Sequence, residues 1–285
     1  MNLGVGGLSA SYGAARVIDN VSFDTGGGRL VGIVGPNGVG KSTLVKVMLG
    51  LVPAARGQAT LDGVPLARQP KRIAYVPQRA ELDWDYPTTT AEMVVMGSTP
   101  RHGLGWLTRP VQRAAAALDR VGLSAQATLP IGELSGGQRQ RALLARALHR
   151  DADVIVLDEP FAAVDIASEA VIWRELARLR DAGKLLLVVH HDVVSARERF
   201  DACLLLAPGS ALFGPPAVVL APGALERAYG VHAGPGPQPS PLPHSEAQPP
   251  ASRGGEGERH TSRTPQPEPK PAHSLPLPQR GRGLG

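Results

Sequence analysis

The sequence predicts an α/β fold: a mostly parallel sheet with helices around it and a helical insertion in its middle. Three observations carry the prediction. Short apolar runs bounded by glycine and proline recur through the first 230 residues, as buried strands do. The run at residues 30–34 passes through a glycine-rich loop straight into a helix-forming stretch at 44–49. From about residue 80 to 150 the composition turns helical, and strand patterning returns at 154–157.

Taken in order, the chain opens with a strand running into Tyr12, a second strand over 17–23, and three glycines at 26–28. After the glycine loop and its helix, residues 50–57 form a turn-rich connection containing Pro53. Residues 59–61 with Asp62 and Gly63 read as a hairpin strand and its turn. Residues 73–76 are a strand stopped by Pro77. The insertion carries helical stretches at 91–96, 111–121 and 134–148, the last with the clearest pattern. A helix over roughly 168–180 is closed by Gly183, and 185–189 is a further buried strand. Beyond residue 230 the composition shifts: thirteen of the chain's 27 prolines lie there, among glycine, serine and glutamine. Isolated apolar residues cannot offset the entropy of ordering, so residues 231–285 are expected to be a disordered tail after a domain over 1–230. A proline-rich recognition arm is the functional alternative.

The 285 residues are 42 % apolar, enough for a substantial core, which alanine, leucine and valine must build because aromatics are only 4 %. The net charge of +5 comes from 30 basic and 25 acidic residues dispersed along the chain. A dispersed excess is a solvated surface rather than a nucleic-acid footprint, and no nucleic-acid partner is expected. The lone Cys203, in the apolar run 202–206, permits no disulfide framework and fits a reducing cytoplasm. The first residues lack the basic region and apolar run of a signal peptide, and nowhere do about 18 apolar residues follow one another. Work at a membrane is therefore expected to go through a partner.

Gly35, Pro36, Asn37, Gly38, Val39, Gly40, Lys41, Ser42 and Thr43 match G-x-x-x-x-G-K-[ST] between a strand and a helix. Glycines let successive backbone N–H groups turn inward on phosphate oxygens, and the helix adds its positive end. Lys41 would reach the β- and γ-phosphates, and Ser42 would place a hydroxyl on Mg²⁺. Such a site needs an acid at the end of a neighbouring strand, and the run 154–157 ends in Asp158 and Glu159. Asp158 suits the Mg²⁺ shell. Glu159 is placed to polarise the attacking water, the plainer reading being a surface carboxylate that opens the next turn. Leu134, Ser135, Gly136, Gly137 and Gln138 form a second anion-binding helix start, with Ser135 as its cap.

Those five residues resemble the signature of the ATP-binding-cassette (ABC) ATPases. Further landmarks of that family follow in order. Tyr12 stands where an aromatic stacks on adenine in that family, the plainer reading being a packed aromatic. Gln78 resembles the glutamine that contacts Mg²⁺ or water and senses the membrane partner. Residues 163–165, ending in Asp165, resemble the D-loop. His191 resembles the switch histidine near the γ-phosphate; His190 is the adjacent candidate, and the aspartate at 192 favours His191. The resemblance covers roughly residues 1–230. It implies a P-loop NTPase fold of ABC type, with a mixed or parallel sheet core, an N-terminal antiparallel β subdomain and a helical signature subdomain at about 80–150. It also implies an ATPase using ATP and Mg²⁺, in which two copies pack head to tail and each ATP lies between one chain's loop and the other's signature.

A cassette of this kind implies separate transmembrane permease subunits and a place on the cytoplasmic face of the plasma membrane. Residues 78–87 lie where the family meets its permease, and exposed Trp84 and Tyr86 between acids would suit a docking surface, the plainer reading being core packing of the helical insertion. This stretch, residues 94–97, 161–165 and 190–192 are similar to cassettes of metal-ion importers, which take manganese, zinc or iron from an extracellular solute-binding protein. A cassette for another substrate or an exporter, and a soluble ABC ATPase acting on nucleic acid or ribosomes, remain the alternatives. Threonine at position 90, often aliphatic in the relatives, and the absence of a glutamate near 26–28 depart from the pattern without touching the chemistry.

Overall fold

The computed structural model describes residues 1–12, 15–78, 81–97 and 109–230. The expected tail and the middle of the helical insertion lie outside them. In chain order the elements are β1 (Asn2–Tyr12), β2 (Ala15–Gly26), β3 (Arg29–Val34), α1 (Lys41–Met48), β4 (Arg56–Leu61), β5 (Val64–Pro65) and β6 (Ile73–Val76). Then come α2 (Thr90–Val95), α3 (Pro110–Arg120), α4 (Gly136–Arg150), β7 (Val154–Asp158), α5 (Ile166–Asp181) and β8 (Leu185–Val189). The described chain ends with α6 (Val193–Arg199), β9 (Ala202–Ala207), β10 (Ser210–Gly214), α7 (Pro216–Val219) and α8 (Pro222–Tyr229).

The strands form two sheets. The smaller is antiparallel, in the order β2-β1-β4-β5; the larger runs β10-β9-β3-β8-β7-β6, parallel except for β10 at its edge. The central strands β7 and β8 are buried along their whole length, which is why they read as unbroken apolar runs rather than alternating ones. One apolar cluster fills the space between the larger sheet, α5 and the helical insertion, and a second lies between the two sheets around α1. Each fully buried leucine or valine in these clusters contributes about 2 kcal/mol of apolar burial. Gly32 in β3 has a packing reason: a Cβ there would stand 2.8 Å from the Phe200 ring, which presses on the sheet at that point.

Side-chain caps start four of the helices. Thr89 and Glu92 form a reciprocal capping box at α2, Ser135 and Gln138 do the same at α4, and Asp165 and Asp192 cap α5 and α6. The insertion is fastened to the sheet side by a buried carboxylate. Glu175 of α5 has no exposed side-chain surface; it accepts from Arg120 of α3 at 2.8 Å and from Arg178 at 2.9 Å.

The topology corrects one expectation. The strand that ends in Asp158 is not the immediate neighbour of the loop strand, because β8 lies between β3 and β7. Register keeps the three strand ends level: Ile33 pairs with Val189, and Val189 with Asp158. Leu134 is extended rather than helical, since Ser135 caps the helix that follows.

Candidate functional site

The glycine loop leaves β3 near the middle of the larger sheet and re-enters as α1. Gly40 caps α1 in a left-handed conformation at φ 106, and a Cβ there would crowd Val17 at 2.8 Å and Ile18 at 2.9 Å. Only glycine meets both demands. The Lys41 side chain is curled back inside the loop, its ammonium donating to the carbonyls of Gly35 and Pro36 at 2.9 Å each. Burial lowers its pKa, and the carboxylates of Glu159 and Asp158 oppose that shift. The backbone N–H of Val39 donates to the Pro36 carbonyl at 3.4 Å, closing the loop.

Facing the loop is a cleft of about 530 Å³ lined by Asn37, Gly38, Lys41, Ser42, Thr43, Gln78 and Glu159, with Val17 at one wall. Below it the Ser42 hydroxyl donates to Asp158 Oδ1 at 2.9 Å, and the Gln78 amide approaches Ser42 Oγ at 3.5 Å. The Tyr75 hydroxyl reaches toward Asp158 Oδ2 at 3.5 Å. Asp158 is fully buried, and burial pushes its pKa up to about 6, against the pull of the Ser42 hydrogen bond and with the Glu159 charge reinforcing it. Glu159 stands one step further out, half-buried, with a left-handed backbone at φ 51.

The remaining candidates occupy other places. Ser135 is exposed at the start of α4, its Oγ accepting from the Gln138 N–H at 3.3 Å while Gln138 Oε1 accepts from the Ser135 N–H at 2.8 Å. Gly136 and Gly137 make the first helical turn. A Cβ on Gly137 would overlap the Asp165 carboxylate and the Ser168 hydroxyl, so this glycine allows the signature turn to lie directly on the cap of α5. The Ser168 N–H holds the Asp165 carboxyl below its usual range. His191 is exposed beyond the end of β8, whereas His190 is buried at 4 % exposure. The signature, Asp165 and His191 do not line the cleft. The Tyr12 ring lies outside the described residues.

Several residues here escaped the sequence reading. Val17 was read only as a strand residue, and Tyr75 only as the strand before Gln78. Lys46 of α1 pairs with Glu81 at 2.6 Å, joining the loop helix to the segment after Gln78. Tyr86 is 55 % exposed as expected, but Trp84 is not: it packs on the core cluster, with the Arg139 guanidinium 5.0 Å over its ring. Leu82, Trp84, Tyr86, Met93, Met96 and Ile131 border an apolar groove of about 180 Å³ beside it.

The pattern that defines the ABC transporter family matches residues 18–162. The chain belongs to that family. It is an ATP-binding-cassette ATPase. The cassette is 46 % identical over 232 residues to the manganese transport system ATP-binding protein MntB of Listeria innocua, covering 80 % of this chain and 96 % of that one. It is 44 % identical over 227 residues to the zinc transport system ATP-binding protein TroB of Treponema pallidum, covering 78 % and 85 %. In three dimensions it resembles a nucleotide-free ATP-binding cassette from an ABC transporter, with a TM-score of 0.71, 24 % identity and coverage of 80 % and 99 %. It also resembles a transporter described as of metal-chelate type in an inward-facing conformation, with a TM-score of 0.69, 26 % identity and coverage of 80 % and 88 %. Among the described residues no helix of the cassette is long and apolar enough to cross a membrane.

Proposed function

We propose that this cassette energises the import of a metal ion, manganese or zinc in the first instance, through separate permease subunits. The observation that carries the ATPase half is one cleft joining a phosphate loop, a buried acid bonded to the loop serine, and a second acid at its mouth. The metal half is supported by relatives named for manganese and zinc transport that align over most of their length.

The residues present fit Mg²⁺. Asp158 is a buried carboxylate that carries its charge at a cost, the Ser42 hydroxyl donates to it, and the Gln78 side chain stands beside that hydroxyl. Oxygen donors of this kind suit a hard dication. Asp158, Ser42 and Gln78 would hold the ion, which when bound neutralises charge on the β- and γ-phosphates. Lys41 would leave the Gly35 and Pro36 carbonyls to contact those phosphates, while the backbone of residues 37–43 wraps them. Glu159 orients the attacking water and takes up its proton. His191 and, from a second copy, Ser135 with the N-terminal end of α4 would face the γ-phosphate. Because one chain's signature is remote from its own cleft, two copies in a two-fold dimer are needed to complete each site.

The groove beside Trp84 and Tyr86 lies next in sequence to Gln78 and is the proposed seat of a permease helix, which places the cassette on the cytoplasmic face of the membrane. An extracellular solute-binding protein would contribute indirectly. The test is to purify the tagged chain from membranes with its permease and reconstitute the complex in vesicles. ATP-dependent uptake of radiolabelled manganese or zinc is expected. Uptake of neither metal, with turnover stimulated by another solute, would overturn the metal assignment.

A further inference from the structure

We propose that His190 is the positioning residue that holds Glu159 and His191 at their working separation, a buried ring keyed between the loops that carry them. The proposal rests on the ATPase reading above.

The placement follows from the sheet. Ile33, Val189 and Asp158 are level on β3, β8 and β7, so the residue after Val189 emerges between the phosphate-loop strand and the Asp158–Glu159 turn. That residue is His190, whose N–H donates to the Ile33 carbonyl at 3.0 Å. Its side chain turns inward while that of its neighbour His191 stays exposed.

On one side the ring is tied to the His191 segment. His190 Nε2 lies 2.6 Å from Ser195 Oγ, and the Ser195 and Val194 N–H groups both donate to the Asp192 carboxylate, at 3.1 and 3.0 Å. On the other side it meets the Glu159 turn. The ring stands edge-on to Phe161 at 5.4 Å and to Trp173 at 5.9 Å, and Phe161 stacks on Trp173 at 4.2 Å. Phe161 belongs to the turn itself, since the Ala162 N–H donates back to the Glu159 carbonyl at 3.2 Å. Trp173 is fixed in turn by Glu169, which accepts from its indole at 2.9 Å, and by Arg199 lying 4.8 Å over its face.

Two left-handed non-glycine residues, Glu159 at φ 51 and Ala163 at φ 53, bracket that turn. Such conformations persist where surrounding packing enforces them, and the Phe161–Trp173–His190 stack is the packing here. A ring of this size that also forms a hydrogen bond is needed to touch both loops. Phenylalanine would keep the edge contacts and lose Ser195; alanine at 195 would lose the same bond from the other end.

The test compares steady-state Mg-ATP hydrolysis by the full chain with that of His190→Phe, Ser195→Ala and the double variant, alongside melting temperature. The expected result is a fall of about tenfold or more in kcat for each single variant, the scale of a misplaced catalytic group. KM for ATP should stay within about twofold, and the double variant should be no worse than the poorer single one, because both remove one link. Ser195→Ala, at a half-exposed position, keeps the test alive should His190→Phe fail to fold. Wild-type kcat in Ser195→Ala, or losses confined to KM or to melting temperature, would overturn the positioning role. An unsubstituted chain without Mg-ATP hydrolysis would instead overturn the ATPase reading itself.

Discussion

Glu159 and Asp158 are adjacent carboxylates in opposite circumstances, one at the mouth of the cleft and one fully buried beneath it. That division predicts separable defects. Glu159→Gln keeps the shape of the turn and removes the proposed base, so hydrolysis should drop at least ~10²-fold while ATP-bound dimers accumulate on gel filtration. Lys41→Ala should instead weaken ATP binding itself, at least about tenfold by titration with a fluorescent nucleotide, because a charge-assisted phosphate contact is lost. His190 predicts a pH effect. Burial and the His191 and Arg199 charges hold its pKa down to about 4, against the opposing pull of Asp192 and Glu169. Above about pH 6.5 the ring is neutral whether folded or not. As pH falls toward about 4 the unfolded chain binds a proton that the folded ring refuses, so stability is lost across that window, at most about 3 kcal/mol. Urea titrations at pH 7.5 and 5 should show the loss in the parent chain and a smaller one in His190→Phe. At this scale the loop, Asp158, Glu159 and Gln78 were legible because their chemistry fixes residue type and spacing. Val17 and Tyr75 were not, since an apolar or aromatic strand residue looks the same in sequence whether it faces a core or a ligand.

Among the elements, α5 joins the two halves of the machinery. Its cap receives the signature turn at Gly137, its middle holds Glu175 against Arg120 of α3, and Trp173 backs the Glu159 turn. Glu175→Ala would leave Arg120 and Arg178 without their shared acceptor, and because both guanidiniums keep access to solvent a loss of about 1 kcal/mol in chemical denaturation is expected. Full stability in that variant would show the guanidiniums re-solvate freely. The long elements were readable from periodicity: β6 and β8 fall at the residues expected, α4 is displaced two residues along the chain, and α5 extends one or two beyond its expected ends. The order of strands was not, because parallel neighbours are chosen by crossovers that leave no local mark, so β8 between β3 and β7 came from coordinates alone. The short helices α6, α7 and α8 have too few turns to display a period.

For the whole molecule, the relatives align with about four-fifths of the chain, and the proline-rich remainder lies beyond residue 230. Deleting residues 232–285 is expected to leave melting temperature and ATP turnover unchanged; a large loss of either would show that the segment packs on the domain. The membrane partner is invisible in one cassette, and so is half of each proposed site. The cap of α4 bears on how those halves would meet. Ser135 Oγ spends a lone pair on the Gln138 backbone N–H, and on that exposed surface its single hydrogen has no acceptor among the described residues. A hydroxyl polarised this way is a better donor. Aspartate at 135 would cap α4 as well as serine does, yet it has no hydrogen to give and would set one anion against another. Folding and the proposed dimer closure therefore ask different things of one oxygen, and Ser135→Asp is expected to satisfy the first while abolishing the second.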